Sequence, residues 1–373
     1  MSVQVIPVTT KAQQKQFIQF AFEHYTDNPN WVPPLIGNQK ELLNYKPHPF
    51  YDNAEIQTFL AIRDGKVVGR IAAILDHAHN QHHKEQRGMF GFFESIDDQE
   101  VANALFDACK QWHGERGIVQ LRGPCNPSQN NEWGMLLDAY DKPPTFLMPY
   151  NHDYYPKLVE GFGFEKSQDM FAFWGSIKML ETIDPKLQFV VDECVRRFEI
   201  KLRRIEKASF DADVDAFMDI YNKAVLGQWG FVPMSPSELK HAAKGFKQLI
   251  VPEMTTIAEH EGKPVGIVFG LLDYNPLIKE IKGRLFPFGF LKMLFKRKKL
   301  KKIRLLSTNV LPEFQRWGLG VALMARMVPD ALAWGVEEAE FSWVLESNKL
   351  SRGTLERGGA KLEKTYRIYD YEA

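Results

Sequence analysis

Two segments of the chain, 197 residues apart, have the pattern of the same β-hairpin. Residues 58–76 read TFLAIRDGKVVGRIAAILD and residues 255–273 read TTIAEHEGKPVGIVFGLLD, with eight of nineteen positions identical. Each segment reads as a strand, a tight Gly-Lys turn and a second strand. The neighbouring sequence repeats in the same order, because 17–34 resembles 217–234 and 154–166 parallels 350–363. The repetition predicts two copies of one fold.

Each copy has the order helix, hairpin, strand, helix, strand, helix, strand. This order predicts an α/β fold (α+β in some classifications), with a mixed sheet that is antiparallel at the hairpin, then parallel, and flanked by helices. We expect a first domain at 1–183, a connecting segment at 184–199 and a second domain at 200–373. The second domain is expected to carry an insertion at 274–304. In the second copy, strands are expected at 304–311, 339–345 and 361–370, and helices at 318–334 and 349–357.

Composition narrows the class of protein. The 373 residues include 47 basic and 47 acidic side chains, so the overall charge gives no indication of a nucleic-acid partner. The three cysteines form no CxxC pair, which argues against a disulfide framework or a cysteine zinc site. The N-terminus lacks a signal-peptide pattern, and the longest apolar run, 285–295, is too short to span a bilayer. We therefore expect a cytoplasmic protein.

The stretch STNVLPEFQRWGLGVA, residues 307–322, occurs only in the second copy. An apolar strand ends before Pro312, and Gly318 and Gly320 precede an apolar helical pattern. A glycine-rich turn that enters a helix presents several backbone N–H groups together, which favours binding of phosphate oxygens. The spacing excludes the P-loop, GxxxxGK[ST], and the dinucleotide fingerprint, strand–GxGxxG–helix.

This segment resembles the acyl-CoA-binding motif of the GNAT superfamily of N-acetyltransferases, in which [RQ]-x-x-G-x-[GA] follows a strand and a proline. The stretches 346–351 and 355–360 resemble the second motif of that family, N-x-x-[AS] followed by G-[FA], and GKPVG at 262–266 lies where the family has its hairpin. The resemblance covers 200–373 in the right order. The chain as a whole resembles a bacterial family of tandem GNAT-like proteins.

The resemblance implies acetyl-CoA or another acyl-CoA as co-substrate, and no metal. It implies that the backbone of Val310 binds the pantetheine arm, and that Asn348 contacts the arm or the thioester with Ser351 nearby. It places Tyr221 and Trp229 in the segment that shapes the acceptor pocket, with core packing as the alternative. The pyrophosphate would bind the backbone amides of Gln315, Arg316, Trp317, Gly318, Leu319 and Gly320.

The catalytic residues are less clearly marked. Many GNAT members use a glutamate on the strand before the loop and a tyrosine after the asparagine. Here the strand RLLSTNVL has no carboxylate, and the tyrosine position falls on Leu355. Glu346 is the nearest replacement base, and the structural alternative is a solvated carboxylate at a strand end. Tyr366 is the candidate acid, with Tyr369 as a second choice. The structural alternative for both tyrosines is packing within the sheet.

The first copy resembles a GNAT fold without the glycine loop, since Asp97 and Asp98 stand where phosphate would bind. We expect this copy not to bind CoA and to act as a scaffold or to shape the substrate side. The run HAHNQHH at 77–83 has zinc-pair spacing at His79 and His83. No acid or cysteine in the run completes a ligand set, so we expect no metal site.

The insertion carries LFPFGFLKMLF followed by KRKKLKK, and residues 274–304 hold eleven Lys or Arg and one acid, Glu280. We expect it to pack against the N-terminal half, with peripheral contact of 277–304 with an anionic membrane, or with a lipid-like substrate, as the alternative. The sequence thus predicts an acyl-CoA-dependent N-acyltransferase, with acetyl as the favoured acyl group, acting on a small-molecule or lipid-like amine. The alternative is a CoA-binding regulatory protein without turnover. The sequence does not define the oligomeric state.

Overall fold

The computed structural model describes residues 2–176, 185–206, 208–224 and 226–372. The expected boundary at 183/184 lies outside the described residues. The chain divides into two compact units that are interleaved in sequence. Unit 1 consists of residues 1–170, 275–293 and 364–373, and unit 2 consists of 171–274 and 294–363. Each unit therefore combines separate segments of the chain, whereas two consecutive domains would each be one continuous segment.

Strands and helices alternate along the chain in the predicted order. The strands are β1 Gln4–Pro7, β2 Ala54–Arg63, β3 Lys66–Asp76, β4 Arg87–Ser95, β5 Gln120–Gly123, β6 Cys125–Asn126, β7 Glu132–Trp133, β8 Met135–Leu136, β9 Glu165–Ser176, β10 Lys201–Arg203, β11 Thr255–His260, β12 Lys263–Leu272, β13 Lys302–Val310, β14 Glu338–Leu345 and β15 Lys361–Tyr371. The helices are α1 Lys11–His24, α2 Ile36–Leu42, α3 His77–His83, α4 Gln99–Gly114, α5 Tyr155–Phe162, α6 Pro185–Arg197, α7 Phe210–Ala224, α8 Pro236–Phe246, α9 Asn275–Glu280, α10 Gly289–Lys296, α11 Leu319–Trp334 and α12 Lys349–Arg357.

The two units build their sheets in the same order. In unit 1 the order is β1-β2-β3-β4-β5, and in unit 2 it is β10-β11-β12-β13-β14. The first three pairs are antiparallel and the last pair, β4 with β5 or β13 with β14, is parallel. The mixed, antiparallel-then-parallel α/β fold expected from the repeat is confirmed.

The repeated hairpins have the same turn. Asp64 and Gly65 join β2 to β3 with φ of 53° and 72°, and Glu261 and Gly262 join β11 to β12 with φ of 50° and 74°. Two positive φ values in a two-residue loop define the tight turn that matches the twist of paired strands, and glycine accepts such a φ without strain. The local sequence therefore determines both hairpins.

The C-terminal strand belongs to the sheet of unit 1. Tyr369 pairs with Gly123 of β5, and Tyr366 pairs with Leu136 of β8, both in antiparallel register. Tyr369 is fully buried in a core that includes Phe90, and its hydroxyl donates to Glu160 at 2.9 Å. Packing in the core is sufficient to explain a tyrosine at this position. Its candidate role as an acid stays a prediction.

The first part of the insertion packs on unit 1, as expected. The amide of Ile36 donates to the carbonyl of Gly283 at 3.0 Å, and Asn275 donates to the carbonyl of Pro144 at 2.7 Å. Gly283 has a positive φ, and a Cβ there would lie 2.3 Å from the carbonyl oxygen of Pro34, so glycine is required at this contact. Among the described residues, the helices are too short or too polar to cross a membrane.

Candidate functional site

The parallel strands β13 and β14 of unit 2 separate before they end. They pair from Lys302 with Glu338 to Leu305 with Phe341, and the ladder stops there. Val310 and Glu346 each lie five residues beyond the last pair, at the same edge of the sheet. An opening between two parallel strands leaves backbone groups that a ligand can bind as an added strand.

A buried polar network lies where these strands part. Arg304 is 3% exposed, and its guanidinium donates to the hydroxyl of Ser342 at 2.9 Å and to the carbonyl of Ser342 at 3.3 Å. The Ser342 hydroxyl donates to the fully buried Glu340 at 2.8 Å, and Lys302 lies 3.6 Å from the same carboxylate. The Ser342 carbonyl thus accepts a hydrogen bond from the side chain of Arg304. If the pairing of β13 with β14 continued, this carbonyl would need a backbone amide as its donor.

The glycine loop connects β13 to α11 at this edge. A 3₁₀ turn over Pro312–Trp317 is followed by Gly318 with a φ of 79°, and α11 begins at Leu319. No side chain within the described part of the chain caps α11, and its first turn has no acidic residue. The helix start therefore directs backbone N–H groups and the positive end of the helix dipole toward the opening.

The matching helix of unit 1 is capped by its own side chains. Asp98 accepts from the amides of Glu100 at 2.9 Å and Val101 at 3.4 Å. Arg63 lies 2.7 Å from Asp98 and 3.0 Å from Glu100, and its hydrogen bond lowers the pKa of Asp98. The ionised carboxylate of Asp98 thus occupies the start of α4. An anion would be repelled there, which is consistent with the expectation that only the second copy binds one.

The loop side chains are held by contacts within unit 2. Gln315 donates to the carbonyl of Val310 at 3.1 Å and to that of Ala224 in α7 at 3.4 Å. Trp317 stacks on Phe198, with ring centroids 3.6 Å apart. These contacts leave the backbone as the ligand-binding part of the loop. The side chain of the predicted Arg316 lies outside the described features.

The two glycines of the loop have different requirements. A Cβ on Gly318 would lie 2.3 Å from Val190 of α6, and its φ of 79° strains any other residue. A Cβ on Gly320 would lie 3.6 Å from Thr308, which is ordinary contact. Gly318 is therefore needed for the fold of the loop, whereas the space around position 320 does not by itself require glycine. Leu319 is buried and contributes only backbone to this surface.

The predicted residues that follow β14 lie around the start of α12. Asn348 is the N-cap of α12, and its side-chain oxygen accepts from the amide of Ser351 at 3.0 Å. This bond leaves the amide nitrogen of Asn348 to reach a ligand. Glu346 is half-buried in the turn before the cap, where its carbonyl accepts from Arg352 at 3.1 Å. The strand topology brings Glu346, Asn348 and Ser351 to the same edge as Val310.

The remaining predicted residues lie in α7, in the segment that follows it and in β15. Tyr221 of α7 stacks on Phe217 and meets Phe231 edge to face, and burial raises its pKa to about 12. Trp229 is half-buried in the segment that follows α7. Tyr366 is fully buried in unit 1, whereas the glycine loop is in unit 2. The binding and catalytic roles of these three residues stay predictions.

The histidine run forms a short helix, α3, and an acid outside the run lies beside it. Glu85 lies 3.3 Å from the ring of His79, and the ring of His83 lies 4.6 Å from the same ring. Burial and the neighbouring His83 lower the pKa of His79 to about 4. In the described ranges, no group of three His, Cys, Asp or Glu residues has the geometry of a metal site.

Comparison with known proteins places this geometry in a family. Residues 214–359 match the acetyltransferase (GNAT) family. The chain is 36% identical over 376 aligned positions to the bacterial ceramide synthase of Caulobacter vibrioides, covering 98% of this chain and 96% of that protein. It is 32% identical over 366 positions to Protein YghO of Escherichia coli, covering 96% and 93%. The chain belongs to the GNAT family.

The fold of this tandem GNAT protein also matches solved structures. A tandem GNAT protein from the clavulanic acid biosynthesis pathway aligns over 100% of this chain and 98% of its own, with a TM-score of 0.59 and 12% identity. A GCN5-related N-acetyltransferase from Sphaerobacter thermophilus aligns over 99% and 95%, with a TM-score of 0.53 and 14% identity. At such identities the likeness concerns the fold alone. The GNAT family is a family of acyltransferases, and its fold generally implies an acyl-CoA co-substrate.

Sequence reasoning missed the network that holds the GNAT strands apart. Arg304 stands between Ile303 and Leu305, and Glu340 between Ala339 and Phe341. A charge flanked by apolar residues in a predicted strand was the available signal. A charged residue in a buried strand needs a partner, so two such residues on neighbouring strands indicate a structured polar site.

Proposed function

We propose that this GNAT protein is an acyl-CoA-dependent N-acyltransferase that transfers the acyl group to the amine of a lipid. The uncapped start of α11 beside the opening between β13 and β14 is the observation that supports CoA binding. Backbone amides from Gln315 to Gly320 would hold the pyrophosphate, and Val310 would pair with the pantetheine arm. These are the groups that the GNAT motif assigns to the co-substrate.

The reaction forms an amide. The amine attacks the thioester carbonyl, a C–N bond forms, the C–S bond breaks, and the proton lost by nitrogen goes to a base. Within β13, residues 302–310 include no carboxylate, so a base must come from another element. Glu346 is the candidate for this role, because it lies at the carboxyl end of the strand beside the opening. Tyr366 stays a candidate acid only as a tyrosine of the last strand, and its burial opposes a direct role.

A lipid acceptor is favoured by the relative and by the surface of the protein. The Caulobacter relative is named a ceramide synthase. A ceramide is a long-chain amino alcohol whose nitrogen carries a fatty acyl group, so its synthesis by acyl transfer is an N-acylation. We infer the same class of acceptor here, namely a long-chain amine or amino alcohol. The acyl donor is then a fatty acyl-CoA as well as, or in place of, acetyl-CoA.

We further propose that the protein meets this acceptor at an anionic bilayer. We call residues 284–301 the aromatic-basic segment. Three of its phenylalanine side chains are largely exposed: 83% for Phe286, 75% for Phe288 and 77% for Phe295. Exposed bases in the same segment include Arg284, Lys298 and Lys299. Aromatic side chains that insert at the interface, next to bases that pair with anionic lipid, fit such a surface. Because the proposed donor is acyl-CoA, we propose that the reaction takes place in the cytoplasm.

The decisive experiment measures product. The purified protein is mixed with acetyl-CoA or palmitoyl-CoA and with octylamine or a long-chain amino alcohol in mixed micelles, and free thiol and amide are measured together. Amide formation with the long-chain amine, at a rate well above that of small polar amines, is expected. Thiol release without amide would indicate hydrolysis, and the absence of both would contradict the proposal.

A regulatory CoA-binding protein is the second candidate, and the lack of a carboxylate on β13 favours it. It predicts CoA binding in calorimetry with no amide from any amine tested. The product assay and the binding measurement together separate the two functions.

A further inference from the structure

Unit 1 contains a polar and aromatic cluster that the GNAT motifs do not assign. It joins α1, the end of β4 and the start of α5 around the carboxylate of Glu94. One oxygen of Glu94 accepts from the phenol of Tyr25 at 2.8 Å and from that of Tyr155 at 2.6 Å. Among the described residues, the other oxygen receives only a long contact from Arg70, at 3.3 Å. The carboxylate is therefore fixed in position, with one oxygen weakly used.

Four rings form a continuous stack beside this carboxylate. Trp31 stacks on Tyr25 at 5.0 Å and 5°, Tyr25 on His152 at 4.4 Å and 4°, and His152 on Tyr154 at 5.1 Å and 12°. Tyr25 is buried, whereas Trp31, His152 and Tyr154 are partly exposed. The stack makes a rigid aromatic wall that reaches the surface.

His152 has a ring nitrogen that the protein does not use. Burial and the neighbouring His24 lower the pKa of His152, which leaves the imidazole neutral at pH 7. The ring has a hydrogen bond to the backbone of His24, while Nε2 is buried and has no hydrogen-bond partner in the part of the chain that the structure describes. A buried acceptor without a donor costs about 1–3 kcal/mol, and a ligand donor would remove that cost.

The charges around the cluster favour a cation. Glu94, Asp97 and Asp153 all act, after burial, to raise the pKa of Tyr154. Arg70 is the cation paired with Glu94, and burial together with Arg70 lowers the pKa of His24 to about 4, so His24 is neutral. Glu94 is thus the carboxylate within the cluster, and the exposed Asp97 and Asp153 add negative potential near Tyr154. A cation held against aromatic faces gains from both the carboxylates and the rings.

The second copy has lost this cluster. Arg70 pairs with Glu94 across β3 and β4, and the pair at the same place in unit 2 is Ile267 with Asn309. The equivalence follows from the hairpins, since Gly69 and Gly266 occupy the same position in the repeated sequence. The carboxylate is therefore present only in unit 1, and the uncapped glycine loop only in unit 2. The two copies carry complementary chemistry.

We propose that the Glu94 cluster of unit 1 is a binding site for a primary ammonium group carried on an alkyl chain. His152 Nε2 accepts one N–H of the ligand, Glu94 balances its charge, and the partly exposed Tyr154, which stacks on His152, contacts its first methylene groups. The site makes unit 1 a ligand-binding unit. Its identification with the acceptor amine rests on the proposed function, whereas ammonium binding itself requires neither CoA nor turnover.

The test is calorimetric titration of the full chain with octylamine, without CoA, and with octan-1-ol as the uncharged ligand. Binding of octylamine and much weaker binding of octan-1-ol are expected. Glu94→Gln keeps an acceptor for the two tyrosines but removes the charge. His152→Phe keeps the stacked ring but removes Nε2. Each variant should weaken octylamine binding at least about tenfold, or about 1.4 kcal/mol.

The control is Glu165→Gln, which removes an exposed carboxylate at the start of β9 and should bind octylamine like the unmodified protein. If Glu94→Gln does not fold, His152→Phe decides. Absence of octylamine binding, equal binding of octan-1-ol, or unchanged binding in the folded variants would overturn the site. Ammonium binding that persists where no amide is formed would contradict the proposed function and leave this site standing.

Discussion

Arg122 and Asp370 are 248 residues apart in sequence and form a two-point ion pair, with both N–O distances at 2.8 Å. Arg122 is 6% exposed as a side chain, and Asp370 also pairs with Arg87 at 3.2 Å and accepts from Ser167 at 2.8 Å. This contact fixes the last strand of the chain in the sheet of the first unit. Unit 1 therefore combines residues from the first and the last parts of the chain.

Removing the carboxylate of Asp370 should destabilise the protein. Asp370→Ala removes the two-point partner of the buried Arg122 and one of the carboxylates beside Arg87, and we expect a loss of about 3 kcal/mol in the free energy of unfolding. Urea unfolding followed by circular dichroism measures it. Glu372→Ala is the control, because Glu372 pairs with Arg87 but is 57% exposed, and its loss should be below about 1 kcal/mol. Equal losses in the two variants would refute the structural role of the two-point pair.

The hairpins, the helix after the glycine loop and the strand order were predictable because their signals are local. Glycine at the turn and apolar periodicity determine β11, β12 and α11 without reference to the rest of the chain. The last strand was predicted correctly as a strand, but its partners were not predictable. Its position depends on Asp370 meeting Arg122, and such a contact leaves no local pattern.

The candidate site was predictable to a similar degree. The glycine loop has a motif, so Gly318 and Gly320 could be singled out, but only the structure shows that Gly318 also has a steric role. Glu94 escaped notice because its partners Tyr25, His152 and Tyr155 come from separate segments. Each of those aromatic residues alone has the pattern of an ordinary core residue, and only the fold brings them to one carboxylate.

Replacing Gly320 with valine should weaken CoA binding at least about tenfold and leave the fold intact. The new side chain meets only Thr308 at ordinary distance, but it covers the amides at the start of α11. Calorimetric titration with CoA gives the dissociation constant. Gly245→Val is the control, since Gly245 lies in α8 with no atom within 4 Å of its Cβ position. Unchanged affinity in Gly320→Val would refute the loop as the CoA site.

Glu346→Gln should separate turnover from binding. If the carboxylate takes the proton from the amine, amide formation should fall by about 10²–10⁴ while the dissociation constant for CoA changes little. The measurement is the rate of amide formation at saturating acyl-CoA, with CoA titration of the same sample. Glu356→Gln, in the helix α12 that follows, is the matched control. Equal rates for the two variants would remove Glu346 from the mechanism.

The aromatic-basic segment should bind anionic vesicles. A triple variant, with serine at Phe286, Phe288 and Phe295, should lose most flotation with vesicles of phosphatidylglycerol and phosphatidylcholine, because it removes the side chains that enter the interface. Vesicles of phosphatidylcholine alone, and added salt, should also reduce flotation of the unmodified protein, since the lysines need anionic lipid.

Leu350→Ser is the control for that experiment. Leu350 is 73% exposed at the start of α12, outside the aromatic-basic segment, so its replacement should leave flotation unchanged. Flotation of the triple variant that matches the unmodified protein would show that the segment does not contact the bilayer.

Acid should destabilise the protein through buried histidines that the fold keeps neutral. His113 is fully buried, and burial lowers its pKa to about 4, with Arg116 lowering and Glu55 raising it more weakly. The unfolded chain binds a proton near the usual histidine pKa of about 6.5, whereas the folded protein does not until about pH 4. The unfolded state therefore gains protons first, and stability falls as the pH drops from about 6.5 toward 4, by up to about 1.4 kcal/mol per pH unit for each such group.

His113→Gln removes one of these titrations and should flatten the dependence. Its ring nitrogen Nε2 donates to the carbonyl of Met89, 3.1 Å away, and the ring packs where a Cβ on Gly88 would lie 2.4 Å from Nδ1. The variant is thus expected to be less stable at pH 7 but to lose less stability between pH 7 and pH 5 than the unmodified protein. Urea unfolding at the two pH values gives both differences. Parallel losses in the two proteins would mean that His113 is already protonated in the folded state, or that its proton uptake does not differ on unfolding.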